Sequence, residues 1–335
     1  MAEKPYVESR LATVFGGSGF IGRYVVRALA RRGWRVRVAV RRPDLAGFLQ
    51  PLGDVGQIHP VQANLRYPAS IAAALVGAEA AINLVGVQTQ TGRQNFEAVH
   101  VFGAREIGRA AASQGLARLV HVSGIGADPE SASPYIASKG RGEAALREAF
   151  PAAIVLRPSV VFGPEDDFLN RFGLLARTLP ALPLFGGGDV RMQPVFVGDV
   201  AEAAARAIEG RAKAGEIYEL GGPEVMTLRE IVAFVCRTTD RHPALIPLPF
   251  GLARLMAGGT EIARALTLGL FPKALTTTRD QIELLRRDNL VAASAIEAGR
   301  SFQGLGIDPQ GVEAIAPAYL WRFRKTGQYA SSGAT

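Results

Sequence analysis

Through residue 158, short apolar runs alternate with stretches whose apolar residues recur at helical spacing. Leu11–Phe15, Arg35–Val40, Ile58–Gln62, Ala80–Val85, Leu119–Ser123 and Ile154–Arg157 read as strands. Many of them are apolar throughout, as strands covered by helices on both faces are. Between the first two, Ile21, Val25, Ala28 and Leu29 fall on one helical face, and longer helical patterns cover Asn95–Gln114 and Tyr135–Ala149. Strands alternating with helices predict an α/β fold, a Rossmann-like doubly wound parallel sheet.

Beyond residue 158 the rhythm loosens around turn-rich stretches such as Phe185–Asp189 and Gly221–Pro223. Thr227-Leu228-Arg229-Glu230 reads as a capping box opening a helix over Leu228–Thr238. Asp199 and Glu202 mark another helix start, behind a strand at Pro194–Val197. The expectation is a nucleotide-binding domain over residues 1–158 and a smaller C-terminal α+β lobe over residues 159–335, some of whose elements return to the main sheet. Pro249–Pro272 carries few charges and many apolar residues. It reads either as a helical pair packing on its own lobe or as a sticky face for a membrane or a partner subunit.

Composition narrows the classes. With 335 residues, 48% of them hydrophobic and 20% charged, the chain can fill a core. The single cysteine, Cys236, excludes a disulfide framework and a Cys-based zinc site. His59, His100, His121 and His242 lack metal-ligand spacing, so no metal is assigned. The net charge of +8 favours a phosphate-bearing partner. The arginines are scattered, however, and no motif points to nucleic acid. No run of 18 apolar residues predicts a transmembrane span, and Met1–Arg10 is too short and polar for a signal peptide. These points predict a cytoplasmic location.

The strongest signal is Gly16-Gly17-Ser18-Gly19-Phe20-Ile21-Gly22, between a strand and a helix. Gly16 permits the tight turn, Gly19 lets a pyrophosphate approach the backbone, and Gly22 lets the helix pack on the strand. Amides of the turn and the positive helix end would hold the phosphates. The second strand ends in Arg41-Arg42 with no acid before Asp44. Two guanidiniums there suit a 2′-phosphate, which predicts NADP(H) over NAD(H). Asn64 and Leu65 fall where an adenine edge would lie, and Leu84, Val85 and Gly86 where ribose and pyrophosphate would pass.

Tyr135 and Lys139 stand four residues apart, hence on one helical face. A neighbouring ammonium would favour the ionised phenol and let it act as acid or base. With the glycine turn and this Y-x-x-x-K step, the chain resembles the extended short-chain dehydrogenase/reductase family. The resemblance implies a helper hydroxyl just past the fifth strand and an Asn in the preceding helix. Here those positions fall on Gly124, with Ser123 one residue earlier, and on His100. Ser123 would serve only through a shifted register. This pattern is similar to an atypical branch, the nucleotide-binding accessory subunits of respiratory complex I (NADH:ubiquinone oxidoreductase) and their bacterial homologues. The similarity runs through Val14–Gly22, Leu119–Ser123, Tyr135–Lys139, Arg157–Asp166, Asp280–Leu285 and Asp288–Asn289.

The resemblance implies a mainly structural NADP(H), complex I subunits as partners, and peripheral contact with the cytoplasmic face of the inner membrane. It also adds Val122, Ser123, Tyr135, Lys139 and Pro158 to the cofactor-binding set, with Tyr135 and Lys139 as the retained catalytic pair. The alternative is an active NADP(H)-dependent reductase, or an NAD(P)-dependent epimerase/dehydratase-like enzyme, on a small molecule. Arg157 would reach the cofactor or pair with an acid. Asp166 and Asp167 would line a pocket or simply be solvated.

Overall fold

The computed structural model describes residues 10–90, 92–253, 256 and 279–327. The reading of Met1–Arg10 before Arg10 itself, and that of Pro249–Pro272 beyond Ala253 apart from Met256, lie outside them. The chain divides into two compact units. The first comprises residues up to 158 with 197–220 and 291–308, and the second comprises 159–196, 221–290 and 309 onward.

The first unit is built on strands β1 (Leu11–Phe15), β2 (Arg35–Val40), β3 (Ile58–Gln62), β4 (Ala80–Asn83), β5 (Arg118–Val122) and β6 (Ile154–Pro158). With the edge strand Ile217–Leu220 they form one seven-stranded sheet in the order edge-β6-β5-β4-β1-β2-β3. Every pairing is parallel. Strand order reverses between β1 and β4, and a doubly wound sheet opens a ligand crevice at the carboxyl ends on either side of such a point.

Helices α1 (Phe20–Arg31), α2 (Pro68–Leu75), α3 (Gly103–Ser113) and α4 (Pro134–Ala149) link the strands. Phe15, Ala39, Ala81 and Leu119 of the sheet bury against Ile71 and Leu75 of α2, Ile107 of α3 and Leu146 of α4. On α1, Val25, Val26 and Leu29 are fully buried, and α1 packs on the helix Val197–Ile208. Strands covered this way show no polar alternation, which is why the apolar runs were visible in the sequence.

The second unit gathers Leu182 and Leu184, Ile231 and Val235, and Tyr319 and Leu320 in one core. Its strand pairs are short: Val161–Phe162 with Val195–Phe196, Ala181–Phe185 with Ala244–Leu248, and Arg191–Met192 with Met226–Thr227. The helix Leu228–Thr238 opens with the expected capping box, in which Thr227 and Glu230 satisfy each other's backbone N–H. Among the described residues no helix is long and apolar enough to cross a membrane.

Candidate functional site

Gly16 leaves β1 at φ +78°, with its N–H donating to Ala39 O at 3.1 Å. That φ favours glycine, and a Cβ there would meet Leu84 C and Val85 N at 3.2 Å. Gly22 is tighter still. A Cβ would stand 2.3 Å from Gly16 O and 2.6 Å from Gly17 Cα, so α1 rests directly on the turn. Gly19, the N-cap, is exposed and would meet only Gly16 O, at 3.3 Å. No side chain caps α1, and its first turn holds no acid. The amides of Phe20, Ile21 and Gly22 therefore keep no helical partner at the positive end of the helix, an arrangement suited to an anion. Ser18 and Ile21 are half-buried beside it, and the Phe20 ring packs edge-on against Tyr24.

At the end of β2 both arginines are exposed, but they are not equivalent. Arg42 donates to both Asp44 carboxylate oxygens, Nε to Oδ1 at 3.0 Å and Nη2 to Oδ2 at 2.8 Å. That pairing holds the Asp44 carboxyl below its ordinary range. After β3, Asn64 Oδ1 accepts from Arg66 N at 3.1 Å, and Leu65 packs against Gly103 of α3.

After β4, Leu84 and Val85 abut Gly16, and the next residue, Gly86, abuts Lys139. A Cβ on Gly86 would lie 3.3 Å from Lys139 Nζ and 3.6 Å from His100 Nε2. The turn, residues 84–86 and the α4 lysine thus form one continuous row.

The far end of that row is dense with polar groups. Ser133 caps α4 by accepting from Ile136 N at 3.3 Å. Tyr135 and Lys139 follow one turn apart, with Nζ 6.0 Å from the ring centroid. Among the described residues no acceptor holds Nζ. Burial lowers its pKa to about 8, with Glu143 opposing. The Tyr135 ring sits edge-on to Phe96 at 5.7 Å and to His100 at 5.8 Å, while Phe96 and His100 stack at 5.5 Å. On β5, His121 Nδ1 meets Asn83 Nδ2 at 3.1 Å, and Asn83 Oδ1 takes the Val85 N–H at 3.1 Å. Burial, reinforced by the Lys139 charge, brings both His100 and His121 down to about 3, so both rings are neutral near pH 7.

Ser123, just past β5, is buried, and among the described residues its Oγ has no hydrogen-bond partner. Gly124 has open space beside it, the nearest atom to a Cβ being Pro158 O at 3.9 Å. Val122 is buried within β5, and Pro158 O accepts from Ile125 N at 3.0 Å.

Two expectations resolve here. Arg157 pairs with an acid: Nη2 reaches Glu143 Oε2 at 2.6 Å and Nε reaches Oε1 at 3.0 Å, with Glu219 at 3.8 Å. Asp166, in the second unit, is buried rather than solvated. It accepts from Gly163, Phe168 and Asn170 N–H groups and from Tyr319 OH at 2.9 Å. Those four donors make it a loop fastener, with no lone pair left over for a substrate. Sequence reasoning missed Asn83, Ser138 and Glu143. Only Glu143 left a sequence signal, its spacing of four from Lys139.

Comparison with known proteins gives a consistent family. The model of the NAD dependent epimerase/dehydratase family matches residues 12–221. The mitochondrial NADH dehydrogenase (ubiquinone) 1 alpha subcomplex subunit 9 of Arabidopsis thaliana is 34% identical over 324 residues, 96% of this chain and 80% of that protein. A ceramide reductase of Caulobacter vibrioides is 33% identical over 247 residues, 71% of this chain and 74% of that protein. The UDP-glucose 4-epimerase structure from Thermotoga maritima shares the fold at TM-score 0.68 and 19% identity, covering 94% of this chain and 99% of that one. The chain belongs to the NAD dependent epimerase/dehydratase family, as a homologue of the mitochondrial NADH dehydrogenase subunit.

Proposed function

We propose that the chain is an accessory subunit of respiratory complex I that holds NADP(H) as a mainly structural group, docked peripherally at the cytoplasmic face of the inner membrane. The carrying observation is the continuous row from the uncapped α1 N-terminus, past residues 84–86, to the unpaired Lys139 ammonium. Amides without acceptors at one end and an ammonium without an acceptor at the other fit a molecule with phosphates at one end and hydroxyls at the other. A match to a complex I subunit over 96% of this chain and 80% of that protein supports the partner.

In this reading Gly16, Ser18, Gly19, Phe20, Ile21 and Gly22 cradle the pyrophosphate, and Leu84, Val85 and Gly86 line its path. Asn64 and Leu65 flank the adenine. Arg41, whose guanidinium has no partner among the described residues, takes the 2′-phosphate, with Arg42 held beside it by Asp44. Val122, Ser123, Tyr135, Lys139 and Pro158 border the nicotinamide half. When bound, the dinucleotide would supply a hydride donor or acceptor. This chain's own residues bind, orient and enclose it, and at saturation such binding stabilises a fold by about 3–4 kcal/mol.

A second reading keeps the chemistry, as an NADP(H)-dependent reductase acting on a lipid of the ceramide type. Two features favour it: the retained Tyr135–Lys139 pair and the buried Ser123 hydroxyl without a partner.

The deciding experiment is purification without added nucleotide. The accessory reading expects NADPH released only on denaturation, slow exchange, and co-purification with complex I subunits from membranes. Fast exchange with turnover of a lipid ketone, abolished by Tyr135→Phe, would establish the reductase instead. Arg41→Glu is expected to weaken NADPH far more than NADH. Equal losses would overturn the 2′-phosphate assignment.

A further inference from the structure

The helix ahead of α3 does not begin as an α-helix. Glu97–Phe102 is a π-turn, with His100 buried inside it. π-turns are rare and gather at functional sites. α4 grips this turn twice. A Cβ on Gly142 would stand 2.2 Å from His100 O, so glycine alone lets the two backbones meet there. One turn earlier, Ser138 Oγ lies 2.8 Å from His100 Nδ1.

The hydrogen bonds fix the imidazole's tautomer. Val87 N–H can only donate, and it reaches His100 Nε2 at 3.0 Å, so Nε2 carries no proton. A neutral imidazole then carries its proton on Nδ1 and donates to Ser138 Oγ. The Ser138 hydroxyl donates onward to Tyr135 O at 2.7 Å. Donation runs from Val87 N–H to His100, from His100 to Ser138 and from Ser138 to the Tyr135 carbonyl, where it ends. Both imidazole nitrogens are taken by protein partners, so neither is left to hydrogen-bond a ligand.

We propose that His100 is a positioning residue: locked as the Nδ1–H tautomer, it ties the Gly86–Val87 backbone to the first turn of α4 and so fixes Lys139 and Tyr135 to retain a ligand, while closing this side of the site to proton relay. Two observations support the locking besides the hydrogen bonds. The ring is clamped in the aromatic set with Phe96 and Tyr135. The titratable groups around it, Lys139 and Tyr135 on α4 and His121 on β5, include no carboxylate that would favour an imidazolium.

The tautomer is read directly by NMR of the full-length protein with 15N-labelled histidine. The His100 signals, identified by their loss in His100→Gln, are expected to show protonation on Nδ1 alone and no titration from mildly acid to mildly alkaline pH. A proton on Nε2, or titration near neutrality, would overturn the proposal. A second arm rests on the nucleotide-binding reading and follows NADPH release by fluorescence after a chase with excess NADP⁺. His100→Phe keeps the ring and loses both hydrogen bonds. It is expected to release NADPH about tenfold faster, whereas His100→Gln, whose amide keeps the Val87 bond, is expected to be about threefold faster. Release from His100→Phe at the wild-type rate, or from His100→Gln as fast as from His100→Phe, would mean that packing alone matters and the proposal is wrong. If the wild-type protein itself does not retain NADPH, the binding reading fails, and the NMR arm still decides the role of His100.

Discussion

The two ends of the row in the first unit are built in opposite ways. At the glycine turn the protein leaves its donors open: α1 has no cap, Gly19 is exposed, and the tight contacts lie behind the turn, at Gly16 and Gly22. At the Tyr135 end nearly every polar atom is already spent on another part of the chain. Asn83 is committed to Val85 and His121, His100 to Val87 and Ser138, and Glu143 to Arg157. Among the described residues there, the Lys139 ammonium has no acceptor and the Ser123 hydroxyl no hydrogen-bond partner. An open end can admit a ligand from solvent. A closed end holds whatever arrives and offers few routes for protons to leave.

That contrast is easiest to break at its open end. Gly22→Val is expected to abolish nucleotide retention and to cost more than about 4 kcal/mol, because the new side chain meets backbone atoms that cannot give way. Intact nucleotide retention in this variant would show that the turn is not what grips the ligand. At the closed end, Glu143→Gln is expected to cost about 2 kcal/mol in urea unfolding by removing the charged partner of the half-buried Arg157, which keeps only the more distant Glu219. A cost below 1 kcal/mol would mean that water reaches this pair.

The histidines supply a pH test. With folded pKa values near 3 against 6.5 unfolded, the unfolded chain binds more protons anywhere between those limits. Stability therefore falls as pH drops below 6.5, by about 1.4 kcal/mol per pH unit for each ring once its unfolded form is charged. Replacing His100 and His121 together by Gln is expected to flatten the acid limb of a stability–pH curve. An unchanged slope would place the acid sensitivity elsewhere. The smallest effect is expected from Lys139→Met, about tenfold in NADPH affinity at pH 7 for one charged hydrogen bond. Wild-type affinity should decline as the ammonium deprotonates above pH 8, and the variant should show no such decline.

The open end was far more legible in the sequence than the closed one. β1, β2 and β3 fall within the bounds that their apolar runs predicted, and the glycine turn lies between β1 and α1 where its spacing put it. Such features are local, since a few adjacent residues decide them. β4 stops at Asn83, two residues short of the apolar run, because the Asn83 side chain takes the Val85 amide. The predicted helix Asn95–Gln114 opens as a π-turn for a reason that lies 40 residues away, in Gly142 and Ser138. Arg157, left between two partners, is settled by Glu143 on a neighbouring element. Side-chain commitments between distant segments carry no periodic signature, so they had to be seen.

The discontinuous make-up of the first unit bears on how the chain is born. Its sheet begins at residue 11, yet its edge strand is Ile217–Leu220. That strand is held in turn by late residues: Arg300 pairs with Glu216, and Ala292 N–H donates to Glu219. A ribosome adding about 5–20 residues per second needs roughly 3–12 s to travel from residue 158 to residue 220. For that interval the nascent sheet exposes the flank of β6 as an unpaired edge, the kind of surface that recruits foreign strands. Truncations ending before residue 217 should inherit the same open flank permanently, and chaperone capture during synthesis is the expected safeguard.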